Sequence, residues 1–220
     1  MNHRTMIPRC ILVLISLGIL VSCSKSPAGP DGGTSGALIP LAVGNQWNYL
    51  TFSFDSLGSI SSTSHDSTRI DGDSTIESQQ WYYQRINGEK VAYRNTDQGV
   101  VTRLFDTIGD GRIVVNYRYP AHVGDSFGYP VFWIIGGTRI VTSDTDALCI
   151  VKSIDTTIGV PAGMYSCYLF RTIHHGSDAY SDEYISPFHG WIQTDFYSRR
   201  RPGGPLIIAS SRRASSIVLR

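Results

Sequence analysis

The chain has 220 residues, 19 of them Lys or Arg and 18 Asp or Glu, for a formal charge of +1. So even a balance, with 41% hydrophobic residues, argues against a disordered chain and against nucleic-acid binding through bulk charge. Gly (22) and Pro (10) are frequent and charged residues make up only 17%, the mix of an ordinary globular domain rich in turns.

The chain opens with a leader. Arg4 and Arg9 precede the aliphatic run Cys10 to Val21, the charged-then-apolar order of a secretory signal. That run falls short of the roughly 20 apolar residues a spanning helix needs, so residues 1–22 are read as removed from the mature protein. Leu20-Val21-Ser22-Cys23 resembles the lipobox of bacterial lipoprotein signals, with an aliphatic residue, a tolerated Val, a small residue before the cleaved bond and the thiol that defines the class. The resemblance implies that Cys23 is lipidated and becomes the new N-terminus, held in a membrane by several acyl chains. An ordinary cleaved secretory signal with an incidental Cys23 is the alternative. Ser24, where inner-membrane lipoproteins carry Asp, points by the same analogy to the outer membrane, on its periplasmic face or its surface. Residues 23–37 then form a Ser/Gly/Pro tether with a root-mean-square reach of roughly 20 Å. Ser22 and Lys25 match the S-x-x-K spacing of serine acylases, but cleavage removes that serine.

Residues 38–220 are read as one β domain. Pro40 and Gly44-Asn45 punctuate its start, and Trp47 to Phe54 alternates as a strand. A Ser/Thr/Asp-rich stretch from Asp55 to Ser78 is expected to be exposed, with a hairpin around Asp71-Gly72-Asp73. Trp81 to Ile86, Lys90 to Asn95 and Val100 to Phe105 read as a meander separated by the turns Asn87-Gly88 and Asp97-Gln98-Gly99. Arg112 to Tyr119 is a further strand and Pro120 to Tyr129 a loop. Val131 to Ile135 and Thr138 to Thr142 flank Gly136-Gly137. Ala147 to Ile154 and Tyr165 to Ile173 flank Pro161-Ala162-Gly163. Gly190 to Ser198, Leu206 to Ser211 and Ser215 to Leu219 finish the sheet, with a turn at Arg201 to Pro205.

No window carries a helical stripe, so the expected fold is all-β: a single antiparallel, strongly curved sheet, half-barrel or sandwich-like. Strands apolar on both phases, such as Leu148-Cys149-x-Val151 and Tyr168-Leu169-Phe170, are expected to be covered on both faces, by packed sheet or by a ligand cavity. Cys149 and Cys167 either bridge or stand apart as buried hydrophobes, since a turn centred on Pro161 to Gly163 offsets them along their strands. Arg199, Arg200, Arg201, Arg212, Arg213 and Arg220 crowd the C-terminal end, either as a solvated edge that discourages strand pairing or as a surface for anionic headgroups.

Three motifs carry a resemblance. Pro40-Leu41-x-x-Gly44-Asn45-x-Trp47-x-Tyr49, Val160-Pro161-Ala162-Gly163-x-x-x-Cys167-Tyr168 and Tyr184-x-x-Pro187-x-x-Gly190-Trp191-Ile192 are similar to those of a family of uncharacterised bacterial lipoproteins. Met164-Tyr165 and Phe188-His189 depart from its pattern. The family offers no catalytic residues. It implies a curved antiparallel sheet of the periplasmic lipoprotein-carrier kind, whose concave side can hold acyl chains.

G-x-S-x-G, P-loop, H-E-x-x-H and C-x-x-C patterns are absent from the sequence. Asp106 to Gly111 imitates a calcium loop, but Ile108 and Tyr117 stand where ligands belong, so it is read as a turn. His174, His175, Asp178, Asp182, Glu183 and His189 fall close together. Of these, His174, His175, Asp178 and His189 are the metal-ligand candidates, set against a solvated polar loop. No catalytic residue and no cofactor is expected. Three functions are open: a non-enzymatic envelope lipoprotein that binds a protein partner or apolar ligand, a structural or surface-display lipoprotein, and an envelope hydrolase with a Ser or carboxylate beside His174 or His189.

Overall fold

The computed structural model describes residues 37–86, 89–103, 111–129, 132–135, 138–141, 147–199 and 203–220. Cys23, the leader and nearly all of the tether lie outside these, as do the turns expected at Asn87-Gly88 and Gly136-Gly137, most of the Asp106 to Gly111 loop, and Arg200 to Pro202.

All regular structure among the described residues is β. In chain order the strands are β1 (Gln46–Phe54), β2 (Ile60–Ile76), β3 (Gln79–Ile86), β4 (Glu89–Thr96), β5 (Gly99–Arg103), β6 (Ile113–Arg118), β7 (Ser126–Tyr129), β8 (Phe132–Ile135), β9 (Thr138–Val141), β10 (Ala147–Val160), β11 (Gly163–His174), β12 (Tyr180–Ser186), β13 (Gly190–Arg199) and β14 (Leu206–Val218). Twelve of them form one antiparallel sheet in the order β6-β5-β4-β3-β2-β1-β14-β13-β12-β11-β10-β7, and β8 pairs with β9 alone. Two meanders are thus joined where β1 meets β14, the first strand against the last. The ladder is open, with β6 at one edge and β7 at the other.

Four sequence expectations need correction. Asp71-Gly72-Asp73 is not a hairpin: β2 runs through it with a register shift between Ile70 and Gly72. The chain reverses at Glu77 and Ser78, whose φ values of 53° and 62° are those of a two-residue hairpin turn. Asp and Gly serve a bulge here as readily as a turn. The expected break before Ser215 is absent because Arg212 lies over the Tyr49 ring and bonds Asp66, which keeps β14 continuous. The expected loop from Pro120 to Tyr129 ends in β7, and the polar stretch after His174 contains β12.

The core lies on one face of the sheet. Trp47, Ile70, Val100, Val151, Phe170 and Ile185 are fully buried there, joined by Leu38 and Ile39 of the entering segment. That segment is pinned by Asn95 Nδ2, which donates to the Ile39 carbonyl at 2.8 Å. A smaller cluster of Trp81, Tyr83, Ala92 and Val101 packs separately. Hairpin β10–β11 bends at register shifts flanking Ser153, and its tip reaches β14, where the Ala162 N–H donates to the Ala214 carbonyl at 3.0 Å. Thr172 stands opposite Cys149 and Thr156 opposite Cys167, so the two thiols are offset, free and buried.

Candidate functional site

The densest chemistry gathers where the two meanders meet over the core. Trp191, just inside β13, packs edge-on against Trp47 of β1 at 5.1 Å and against Tyr93 of β4 at 5.7 Å. Its indole N–H donates to the Tyr117 hydroxyl of β6 at 3.4 Å, and its carbonyl accepts from the Tyr49 hydroxyl at 3.4 Å. Tyr117 leans on Phe170 of β11 with ring centres 5.2 Å apart and donates to the Glu183 carboxylate of β12. Tyr168 and Tyr119 extend the aromatic array.

Glu183 is the acid of this array. It stands opposite Phe170 and Thr194 in the ladder and shares their face, whereas its neighbour Asp182 points the other way. Burial raises its pKa above the ordinary glutamate range; the Tyr117 hydrogen bond opposes that rise and Asp182 adds to it. Cys149, also on this face, has its thiol pushed up to about 12, first by burial and then by the Glu183 charge, with a hydrogen bond involving Thr172 opposing both. A thiol held protonated is not a nucleophile, and Cys167, likewise pushed up to about 12 by burial, is no better.

Asp182 belongs to the opposite face. Arg171 grips it with two N–H groups at 2.7 Å each, and Asp182 is 3% exposed. Asp195 stands opposite it in the ladder and accepts from the Gln193 amide at 2.8 Å. Tyr180 and Tyr197 stack beside them at 4.4 Å, and the Tyr197 hydroxyl is pushed up to about 12 by burial, then by Asp195 and Asp182.

The four metal-ligand candidates are not brought together. His174 ends β11, His175 lies in the turn beyond it, and Asp178 in the same connection is held by Arg199 at 2.7 Å. His189 sits past the far end of β12, roughly 20 Å away at the usual rise of ~3.3 Å per residue. Among the described residues no group of three or more His, Cys, Asp or Glu is placed to hold a metal ion. Ser186 and His189 do meet, Oγ to Nδ1 at 3.3 Å, within a turn where the same nitrogen also lies 3.2 Å from the Pro187 carbonyl. The ring of His189 rests against Tyr165, so its described contacts supply no carboxylate to orient it as a general base.

The three motifs converge on this same region. The Trp47 indole donates to the His189 carbonyl at 2.6 Å. Gly190, at φ +79°, passes so close beneath Trp47 that a Cβ there would lie 2.9 Å from the ring. Asn45 donates from Nδ2 to the Pro40 carbonyl at 2.7 Å and accepts from the Arg220 N–H at 2.7 Å, tying the start of the domain to the end of the chain. Pro161-Ala162 forms the hairpin tip that docks on β14. Sequence reasoning missed Glu183 as part of this array, although the β-prone Tyr180, Tyr184 and Ile185 around it are a strand signal.

Open depressions are found among the described residues. One of about 400 Å³ is lined by Asn48, Tyr49, His65, Asp66 and Ser67. Another of about 180 Å³ is lined by Asp71, Gly72, Asp73, Tyr83, Arg85 and Lys90. Both are lined largely by polar side chains.

No family model and no curated protein matches the chain. It is similar to a crystal structure of an inferred exported protein with a YmcC-like fold from Bacteroides fragilis, at 13% identity and a TM-score of 0.45, covering 83% of this chain and 99% of that one. It is also similar to a crystal structure of an inferred lipoprotein from Parabacteroides distasonis, at 14% identity and a TM-score of 0.39, with coverage of 83% and 99%. At those scores neither likeness carries an activity, partner or location over to this chain.

Proposed function

We propose that this chain is a non-enzymatic lipoprotein of the cell envelope, anchored in the outer membrane through acylated Cys23, whose β domain is a contact or display module rather than a carrier of apolar ligands. The observation that carries this reading is the filled interior. Trp47, Tyr93, Tyr117, Phe170 and Ile185 occupy the face where an acyl chain would lie, and each is at most 6% exposed. We also infer that the sheet bends into an open half-barrel. Tyr117 and Glu183 belong to strands eight ladder steps apart, roughly 40 Å on a flat sheet at ~4.8 Å per step, yet they share a hydrogen bond.

The anchor is tested by labelling the protein in its host with a radioactive or alkyne-tagged fatty acid. Label should enter the parent chain and be absent from Cys23→Ala, and equal labelling of both would remove the anchor. The filled interior is tested by adding envelope lipid extract while following Trp47 and Trp191 fluorescence. Emission should stay constant; a saturable change would favour the carrier reading.

A further inference from the structure

From the open side of β2 we infer that this chain pairs with a second copy of itself, edge to edge, through residues Ile60–Arg69; the inference rests on reading the sheet as a contact module. β1 covers one side of this stretch throughout. The pairing of β3 begins only at Ile70, so among the described residues no strand is paired with the other side of Ile60–Arg69. Residues 60–67 are all exposed. The Ile70 N–H bonds Asn45 on the β1 side, so the alternate residues Arg69, Ser67, His65 and Thr63 turn their backbone N–H and C=O groups to the open side. A row of alternating donors and acceptors at strand spacing is recognised by extended polypeptide and by neither lipid nor a small apolar ligand.

The sequence of this edge selects a second copy as the occupant. Natural edges are blunted by Lys, Pro, inward charges or bulges; the bulge at Ser61 bounds this edge, and Ser62 to Ser64 carry no such device. Two copies related by a two-fold axis normal to the sheet must place residues of the same face opposite each other. With the axis at Ser64, Ser64 meets Ser64, Thr63 meets His65 and Ser62 meets Asp66, and the extra residue at Ser61 ends the regular register. No like charges oppose, and hydroxyls face an imidazole and a carboxylate. Moving the axis by one residue to His65 sets two imidazoles opposite, and moving it to Asp66 sets two carboxylates opposite, which repel. The charges exclude the Asp66 register, and of those they leave we take the one centred on Ser64, in which hydroxyls face the imidazole and the carboxylate.

The pairing makes a positional prediction. Ser64 of each copy forms a non-hydrogen-bonded pair, with Cα atoms about 4.5 Å apart, within disulfide reach. Ser64→Cys in the full-length lipidated protein, oxidised mildly in host membranes, should therefore give a disulfide-linked dimer on a non-reducing gel. Ser62→Cys should not, since its copy across the axis lies four residues along the strand. The parent chain reports any dimer made through Cys23. Adding Thr63→Pro, which removes an outward N–H and leaves the β1 bonds intact, should abolish the Ser64→Cys dimer while Trp47 and Trp191 fluorescence shows the fold retained. Equal cross-linking of Ser62→Cys and Ser64→Cys would overturn the register. A Ser64→Cys chain labelled with a photoreactive maleimide that captures a different envelope protein, and never itself, would overturn self-pairing and leave the contact module standing. Capture of neither would remove both.

Discussion

Strands β1 and β2 are hydrogen-bonded neighbours with opposite fates. Trp47 and Tyr49 of β1 are locked beneath Trp191 and Arg212, with 0% and 2% of their surface exposed, while β2 from Ile60 to Ser67 is exposed at every residue. The difference is one of neighbours rather than of strand propensity. Where Trp191 and Arg212 pack against β1, its aromatic side chains are buried; where β3 is not yet paired, serine and threonine side chains are exposed. One ladder thereby supplies both a buried core face and an unpaired edge.

Substitutions should separate the two regions by size of effect. Gly190→Val forces a side chain into the Trp47 ring at a left-handed φ of +79° and should cost about 3 kcal/mol or more, read as a large fall in Tm. Asp182→Ala leaves Arg171 without its partner. Because the Arg171 side chain is 29% exposed and can rehydrate, the loss should be about 2 kcal/mol rather than the full value of a buried pair, measured by urea unfolding. Glu183→Gln keeps an acceptor for Tyr117 and removes the charge. The folded protein raises the Glu183 pKa, so its stabilising contribution is fully present below the ordinary glutamate range and is lost as pH rises through the folded-state value. The variant should match the parent in acid, exceed it in Tm at neutral pH, and show a flatter Tm-against-pH curve between them. At the exposed edge, Ser62→Ala should change stability by no more than about 0.5 kcal/mol. A larger loss there would mean that the stretch is already covered.

Much of the architecture was legible because strands and turns announce themselves locally. Trp47 to Phe54 alternates, Asp97 to Gly99 turns, and Pro161 to Gly163 reverses the chain as its residues require. The offset of Cys149 and Cys167 also followed from that turn. What stayed hidden depends on distant partners. Asp71-Gly72-Asp73 could not declare itself a bulge, because the choice lies with the pairing of β3. Arg212 looked like an interruption until Asp66 and Tyr49 were beside it. Glu183 read as loop polarity because the Tyr117 that clasps it is 66 residues away in sequence. The motifs were visible, and their chemical-looking residues turn out to secure the core.

The closed interior is tested most directly by native mass spectrometry of the full-length protein extracted gently from the membranes of its own host. The expected result is the mass of the chain from Cys23 with its covalent acyl groups, as one copy or two, and nothing further after incubation with envelope lipids. A reproducible additional mass of one lipid per chain, retained by the β domain when the acylated tether is cut away, would contradict it.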